Sequence, residues 1–84
     1  MIYCQWNVFP ESDLRDLGLA KDTIDALVME KFRNNETHEY DRVRGTRAAR
    51  FMIAGKRYVV EFTVEPQNDR PWIQAVELEE AEDV

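Results

Sequence analysis

Two runs of alternating residues on either side of Ala54-Gly55 constrain the fold more than any other feature. Apolar side chains recur at every second position of both runs, which is typical of half-buried strands. A two-residue turn at Ala54-Gly55 pairs Phe51 with Tyr58, so that the apolar faces of the two strands coincide. A three-residue loop would pair Phe51 with Val59 and mismatch both faces. The sequence therefore predicts a hairpin with a two-residue turn.

The segment before the hairpin predicts a strand and a main helix. Residues alternate from Ile2 to Phe9, as in a strand that ends at Pro10. A single helical turn is predicted over Ser12–Leu17 and is stopped by Gly18. The main helix is predicted from Asp22 to Arg33. Its apolar residues share one stripe at helical spacing: Ile24, Leu27, Val28 and Phe32.

The remainder of the chain predicts a meander of strands. The alternating pattern begins near Glu39, and a turn over Pro66–Pro71 precedes a last strand over Trp72–Glu79. Apolar residues on both faces of that strand indicate a place inside the sheet, or contact with another chain. We expect one two-layer α+β domain over residues 1–79, with the order β-α-β-β-β and a helix packed on an antiparallel sheet. Residues 80–84 are predicted to form a frayed acidic tail.

Composition excludes several classes of protein. The chain has 84 residues with one cysteine, Cys4, and one histidine, His38. An intrachain disulfide is therefore impossible, and a closed zinc site lacks ligands; we expect no metal and no cofactor. The N-terminus lacks a basic leader and a long apolar core, and no segment reaches the ~20 apolar residues of a membrane helix. These features predict a soluble cytoplasmic protein that does not bind a membrane.

Charge is distributed unevenly along the chain. The total of −6 argues against a generally basic nucleic-acid-binding protein. Yet the segment from Arg42 to Tyr58 holds six basic residues and no acidic one, whereas the rest holds five basic and 17 acidic residues, a net of −12. The six basic residues are Arg42, Arg44, Arg47, Arg50, Lys56 and Arg57. Strand parity places Arg42, Arg44, Arg50 and Arg57 on one face of the sheet. This patch either holds phosphates or is neutralised by Glu61, Glu77 and Glu79.

Two further features are candidates for function. His38 is predicted to lie in the polar loop Glu36–Asp41, which leads into the strand that begins the basic segment Arg42–Tyr58. There it could act as a general base on a ribose hydroxyl or simply be solvated. Tyr40 is one of the aromatic residues that could stack beside the basic patch. Met29, Val59 and Ile73 lie off the main apolar stripes and predict an exposed apolar patch, such as a homodimer interface.

Part of the sequence resembles a known group of small bacterial proteins. The segment Leu17–Leu27, the run Gly55-Lys56-Arg57-Tyr58-Val59-Val60-Glu61-Phe62 and the run Trp72–Val76 are similar to the BrnT and RelE/ParE toxins. That resemblance implies a ribonuclease or a gyrase-directed toxin, neutralised by an antitoxin that covers its sheet. It gives counterparts to Arg50, Lys56 and Arg57 only. The chain departs from those toxins in being acidic and in ending without a catalytic Tyr, His or Arg.

Two functional hypotheses follow. The favoured one is a non-enzymatic interaction module that binds a protein partner, such as a basic one, through opposed charged faces. The alternative is an RNA-binding or ribonuclease domain of the RelE/BrnT type, metal-independent, in which arginines hold phosphates and His38 is the base.

Overall fold

The computed structural model describes residues 3–79, which form two helices packed on one face of a five-stranded mixed sheet. The elements are β1 (Gln5–Trp6), α1 (Val8–Leu17), α2 (Lys21–Arg33), β2 (His38–Asp41), β3 (Thr46–Ile53), β4 (Lys56–Val64) and β5 (Pro71–Glu79). The strand order is β1-β5-β4-β3-β2, in which β1 runs parallel to β5 and the other pairs are antiparallel. The predicted α+β class and two layers are confirmed, whereas the single helix and the wholly antiparallel sheet are wrong. The predicted tail, 80–84, lies outside the described residues.

The central hairpin has the predicted register. Phe51 pairs with Tyr58, and Ala49 pairs with Val60. The turn residues Ala54 and Gly55 have φ of 52° and 79°. Positive φ at both positions is the geometry of a type I′ turn, whose twist matches that of the flanking strands. β5 lies between β1 and β4, so its predicted interior position is confirmed as well.

The N-terminal segment differs from its prediction. Instead of a strand to Phe9, β1 has two residues and α1 begins at Val8. The side chain of Asn7 caps this helix by accepting a hydrogen bond from the Val8 N–H. Pro10 occupies the first helical turn, where its missing N–H leaves no hydrogen bond unmade. Gly18, with φ of 70°, ends the helix as predicted.

A buried carboxylate fixes the N-terminal segment to α2. Asp25 is 0% exposed, although the sequence pattern placed it on the polar side of the helix. It accepts hydrogen bonds from the backbone N–H groups of Tyr3 and Cys4, at 2.7 and 2.8 Å, and from the indole N–H of Trp6 at 3.0 Å. Cys4 is buried beside it, and burial together with the Asp25 charge raises the pKa of its thiol.

The core lies between the helices and the sheet. It includes Leu14 of α1 and Ile24 of α2, which pack with residues of β3, β4 and β5. The predicted exposed patch is wrong, because Met29, Val59 and Ile73 are 9%, 5% and 0% exposed. Among residues 3–79, no helix is long and apolar enough to cross a membrane.

Candidate functional site

The sheet surface opposite the helices, here called the outer face, carries most of the charged side chains predicted to be functional. A chain reversal at residues 42–45 splits the predicted basic strand into β2 and β3. Asp41 holds this reversal, because its carboxylate accepts hydrogen bonds from the N–H groups of Val43 and Arg44. His38 therefore lies at the start of β2, paired with Ala48, rather than in a loop.

Four side chains on the outer face form what we call the outer cluster: His38, Tyr40, Arg50 and Glu79. Nε of Arg50 donates to Oε2 of Glu79 at 2.8 Å, and Nη1 of Arg50 donates to Nε2 of His38. The Arg50 guanidinium also lies 5.8 Å from the centre of the Tyr40 ring, within the range of a cation–π interaction. The cluster joins a base, a cation, a carboxylate and an aromatic ring in one place.

Strand register explains how the outer cluster forms. Arg50 lies two residues after Ala48, the partner of His38, so both side chains point to the same face. Toward the other side, the Arg50–Glu79 ion pair spans from β3 to β5 across β4. Val59 of β4, which pairs with Arg50, is almost fully buried. Val59 shares the outer face with Arg50, so the ion pair lies beside a buried apolar residue on a face without helices.

The surroundings of His38 hold its imidazole in the neutral form. Burial lowers the pKa of His38 below its usual value, and the charges of Arg50 and Arg47 lower it further, against an opposing effect of Glu79. The hydrogen bond from Arg50 lowers the pKa of Glu79. Since an arginine can only donate, Nε2 of His38 is an acceptor and the ring proton is on Nδ1. At neutral pH the site thus pairs an imidazole base with an ionised carboxylate.

A second network lies at the β2–β3 end of the outer face. Arg44 contacts the carboxylate of Asp41 at 2.8 Å and that of Glu61 at 3.1 Å. Glu61 is 7% exposed and also accepts a hydrogen bond from the hydroxyl of Thr46. The hydrogen bond to Asp41 raises the pKa of Arg44 and lowers that of Asp41. A buried carboxylate is thus neutralised by an arginine of the predicted patch.

The remaining predicted basic residues lie in different settings. Arg42 is in the reversal rather than on a strand and contacts Glu39 at 3.4 Å. Arg47 points to the helix side and donates to the carbonyl and hydroxyl oxygens of Thr37. Among residues 3–79, Lys56 and Arg57 form no ion pair within 4.0 Å. The predicted patch is therefore only partly neutralised.

Arg57 is the basic residue that borders the outer cluster without an ion pair among residues 3–79. It pairs with Met52 on β3 and with Glu79 on β5. A shallow pocket of about 240 Å³ lies between Arg50 and Arg57 and is also lined by Met52 and Glu79. Two guanidinium groups beside one small pocket are a suitable arrangement for an anion such as a phosphate.

An acidic groove lies elsewhere, between α1 and β5. Its volume is about 400 Å³, and Asp13, Asp16 and Glu77 line it together with Leu17 and Leu78. None of the three carboxylates forms an ion pair with another residue of the described chain. The sequence did not predict this groove, because the predicted helical turn was too short to lie along β5.

Within residues 3–79, no group of three or more His, Cys, Asp or Glu side chains is placed to hold a metal ion. The grouping of His38 with Glu79 was missed by sequence reasoning, although their shared face follows from the register.

No family model matches the chain, and neither the curated proteins nor the solved structures gave a match.

Proposed function

We propose that this protein binds single-stranded RNA on its outer face and cleaves it by metal-independent transesterification at the outer cluster. The observation that carries the proposal is the contact between His38, held neutral, and Arg50. RNA supplies its own nucleophile, the ribose 2′-hydroxyl, so such a site needs only a base and cations that hold the phosphate.

The chemical step follows from the hydrogen bonds in the cluster. A phosphate that binds to Arg50 competes with His38 for the guanidinium and so releases Nε2. Nε2 then accepts the 2′-hydroxyl proton while that oxygen bonds to phosphorus, and the bond from phosphorus to the 5′ oxygen breaks. The departing oxygen takes a proton from a water molecule, and the hydroxide left behind takes the proton from Nε2 of His38, which returns the imidazole to its neutral form. The products are a 2′,3′-cyclic phosphate end and a 5′-hydroxyl end, with Arg50 and Arg57 compensating the charge on the phosphate in the transition state.

Cleavage of a fluorescent single-stranded RNA in EDTA tests this function. His38→Ala is expected to lower kcat by about 100-fold or more, because a general base contributes at least that factor. Arg50→Ala is expected to raise KM and lower kcat. Arg15→Ala removes the same charge from an exposed position on α1 and is expected to leave cleavage unchanged. Circular dichroism verifies that each variant is folded.

Two results would contradict the proposal. One is the absence of cleavage by the wild-type protein at any salt concentration. The other is equal activity of the Arg15→Ala and Arg50→Ala variants, which would mean that Arg50 contributes no more to cleavage than a charge elsewhere on the surface.

The acidic groove supports a second candidate function, an interaction module for a basic partner protein. Its three carboxylates surround two leucines, and Leu78 is 42% exposed. A partner segment that presents lysine or arginine beside an apolar side chain matches this surface in charge and in polarity. Binding there leaves the outer cluster open, so the two functions are compatible.

Titration calorimetry with a synthetic peptide of lysine and leucine tests the second function. Binding is expected to weaken as salt rises and to weaken in the Asp13→Asn/Asp16→Asn double variant. The Asp22→Asn/Glu30→Gln double variant makes the same charge change at exposed positions of α2 and serves as the control. If both double variants lose the same affinity for the peptide, the acidic groove is not its binding site.

A further inference from the structure

An open pocket with an aromatic wall lies at the end of the outer face remote from Glu79. It occupies about 430 Å³ between the first residues of β5 and the loop that connects β4 to β5. The indole of Trp72 forms one wall and is 39% exposed. Thr63, Gln67 and Asn68 supply hydroxyl and amide groups around it.

The loop that closes this pocket is held in place by its own hydrogen bonds. The carboxylate of Glu65 accepts from the side-chain amide of Asn68 and from Nε of Arg70, both at 3.0 Å. Backbone hydrogen bonds join Glu65 to Arg70 and Asp69 to Glu65. A shape fixed before a ligand arrives lowers the entropy lost on binding.

The pocket has the chemistry of a nucleobase site. A flat, partly exposed indole stacks on any base, and this contact is tolerant of base identity. Amide side chains offer both donors and acceptors, as the edges of bases require. The polar side chains that line the pocket are the uncharged Thr63, Gln67 and Asn68 together with Glu65, whose carboxylate is paired with Arg70. No cation lines the pocket among the described residues, so the lining suits a neutral base better than a phosphate.

The register gives the separation between the pocket and the outer cluster. Trp72 pairs with Thr63, while His38 is in the row that contains Ala48 and Glu61. From β2 to β5 there are three strand spacings, and along the strands the two rows lie two residues apart. The Cα atoms of His38 and Trp72 are therefore about 16 Å apart across the sheet. A few linked nucleotides span this distance along the same face.

We propose that the Trp72 pocket stacks one base of the RNA whose scissile phosphate lies at the outer cluster. The proposal rests on the proposed function, since it names a further contact with the same substrate. It predicts that the protein distinguishes substrates by length, because a substrate that spans only the scissile bond cannot reach Trp72.

Steady-state cleavage of a dinucleotide and of a pentanucleotide of one base composition tests the inference. For the wild-type protein, the longer substrate is expected to have a KM about tenfold lower, as one stacking contact provides. Trp72→Ala is expected to abolish this advantage without changing dinucleotide cleavage, and Trp72→Phe is expected to keep most of it. Phe9→Ala, which removes a 77%-exposed aromatic side chain from α1, is the matched control.

The outcomes separate this inference from the proposed function. If Trp72→Ala cleaves both substrates like the wild type, the pocket is not a base site, although the ribonuclease function stands. If the wild type cleaves neither substrate but RNA quenches a fluorescence signal that Trp72→Phe lacks, the pocket binds bases and the cleavage mechanism fails. The absence of both cleavage and quenching refutes both proposals.

Discussion

Replacing Asp25 by alanine is expected to destabilise the fold strongly, because one buried carboxylate satisfies three donors. The N–H groups of Tyr3 and Cys4 and the indole N–H of Trp6 all point to its two oxygens, at 2.7 to 3.0 Å. Asp25 itself is 0% exposed. Removal of the carboxylate leaves these donors without a partner in a largely buried region.

The magnitude follows from the hydrogen bonds and from the local structure. A hydrogen bond to a charged group contributes about 1.5–3 kcal/mol, but the three share one acceptor and do not add fully. β1 has only two residues, so the N-terminal segment can separate from α2 and expose its amides to water. We therefore expect a loss of about 3 kcal/mol in the free energy of unfolding, which lowers Tm by about 12–24 °C in a domain of this size.

Urea denaturation followed by tryptophan fluorescence measures the loss. Asp22→Ala removes an exposed carboxylate from the first turn of the same helix and is expected to have a much smaller effect. The reasoning is refuted if Asp25→Ala loses less than about 1 kcal/mol, or no more than Asp22→Ala, since an unsatisfied buried donor alone costs about that much.

Four further predictions concern separate parts of the molecule. Because the pKa of His38 is lowered in the folded state, the unfolded chain binds this proton more tightly. The free energy of unfolding, measured by urea titration at several pH values, should therefore rise with pH up to about 6.5. The rise should be smaller in His38→Gln. Ala54→Gly should stabilise the hairpin by about 0.5–1 kcal/mol in the same assay, because Ala54 has φ of 52°. Cys4 is buried with a raised thiol pKa, so it should react with a thiol reagent at pH 8 far more slowly than free cysteine does. In the Asp25→Ala variant, Cys4 should react faster than it does in the wild-type protein. Glu79→Gln should lower the KM for RNA by freeing Arg50, whereas Glu77→Gln, which alters no ion pair of residues 3–79, should not.

The β3–β4 hairpin was predictable because apolar residues at every second position of both strands are compatible with only one length of turn. Only a two-residue turn matched the apolar faces of β3 and β4, and the structure has that register. The length of α2 was also predictable to within one residue, from a stripe that includes Ile24 and Val28. Local pattern and tertiary packing agree in both elements.

The N-terminal segment was not predictable in the same way. Its alternation from Ile2 to Phe9 suggested a long strand, but Asn7 provides a helix cap and Pro10 fits a first helical turn. These two signals end β1 at Trp6 in spite of the alternation. The burial of Asp25 has no signature in the helical pattern, because its partners come from a segment about 20 residues earlier in the chain.

The candidate site was predictable in its residues but not in its pairing. Parity correctly placed Arg50 and Arg57 on one face, yet it also placed Arg42 and Arg44 there as strand residues. Asp41 accepts two backbone hydrogen bonds and so forms a reversal at that point, which removes both arginines from the strand. Which acid neutralises which arginine depends on side-chain reach across β4, and a sequence pattern does not contain that information.

The net charge of −6 is compatible with RNA binding because the relevant charges are local. At physiological salt, exposed charges more than about 8 Å apart interact weakly. The groups that line the pocket between Arg50 and Arg57 therefore matter most, and among the described residues Glu79 is the one carboxylate in that lining. There the phosphate competes with Glu79 for Arg50, so binding exchanges one ion pair for another. We expect this exchange to add little affinity, so binding of RNA in the proposed way would depend on Arg57 and on base stacking.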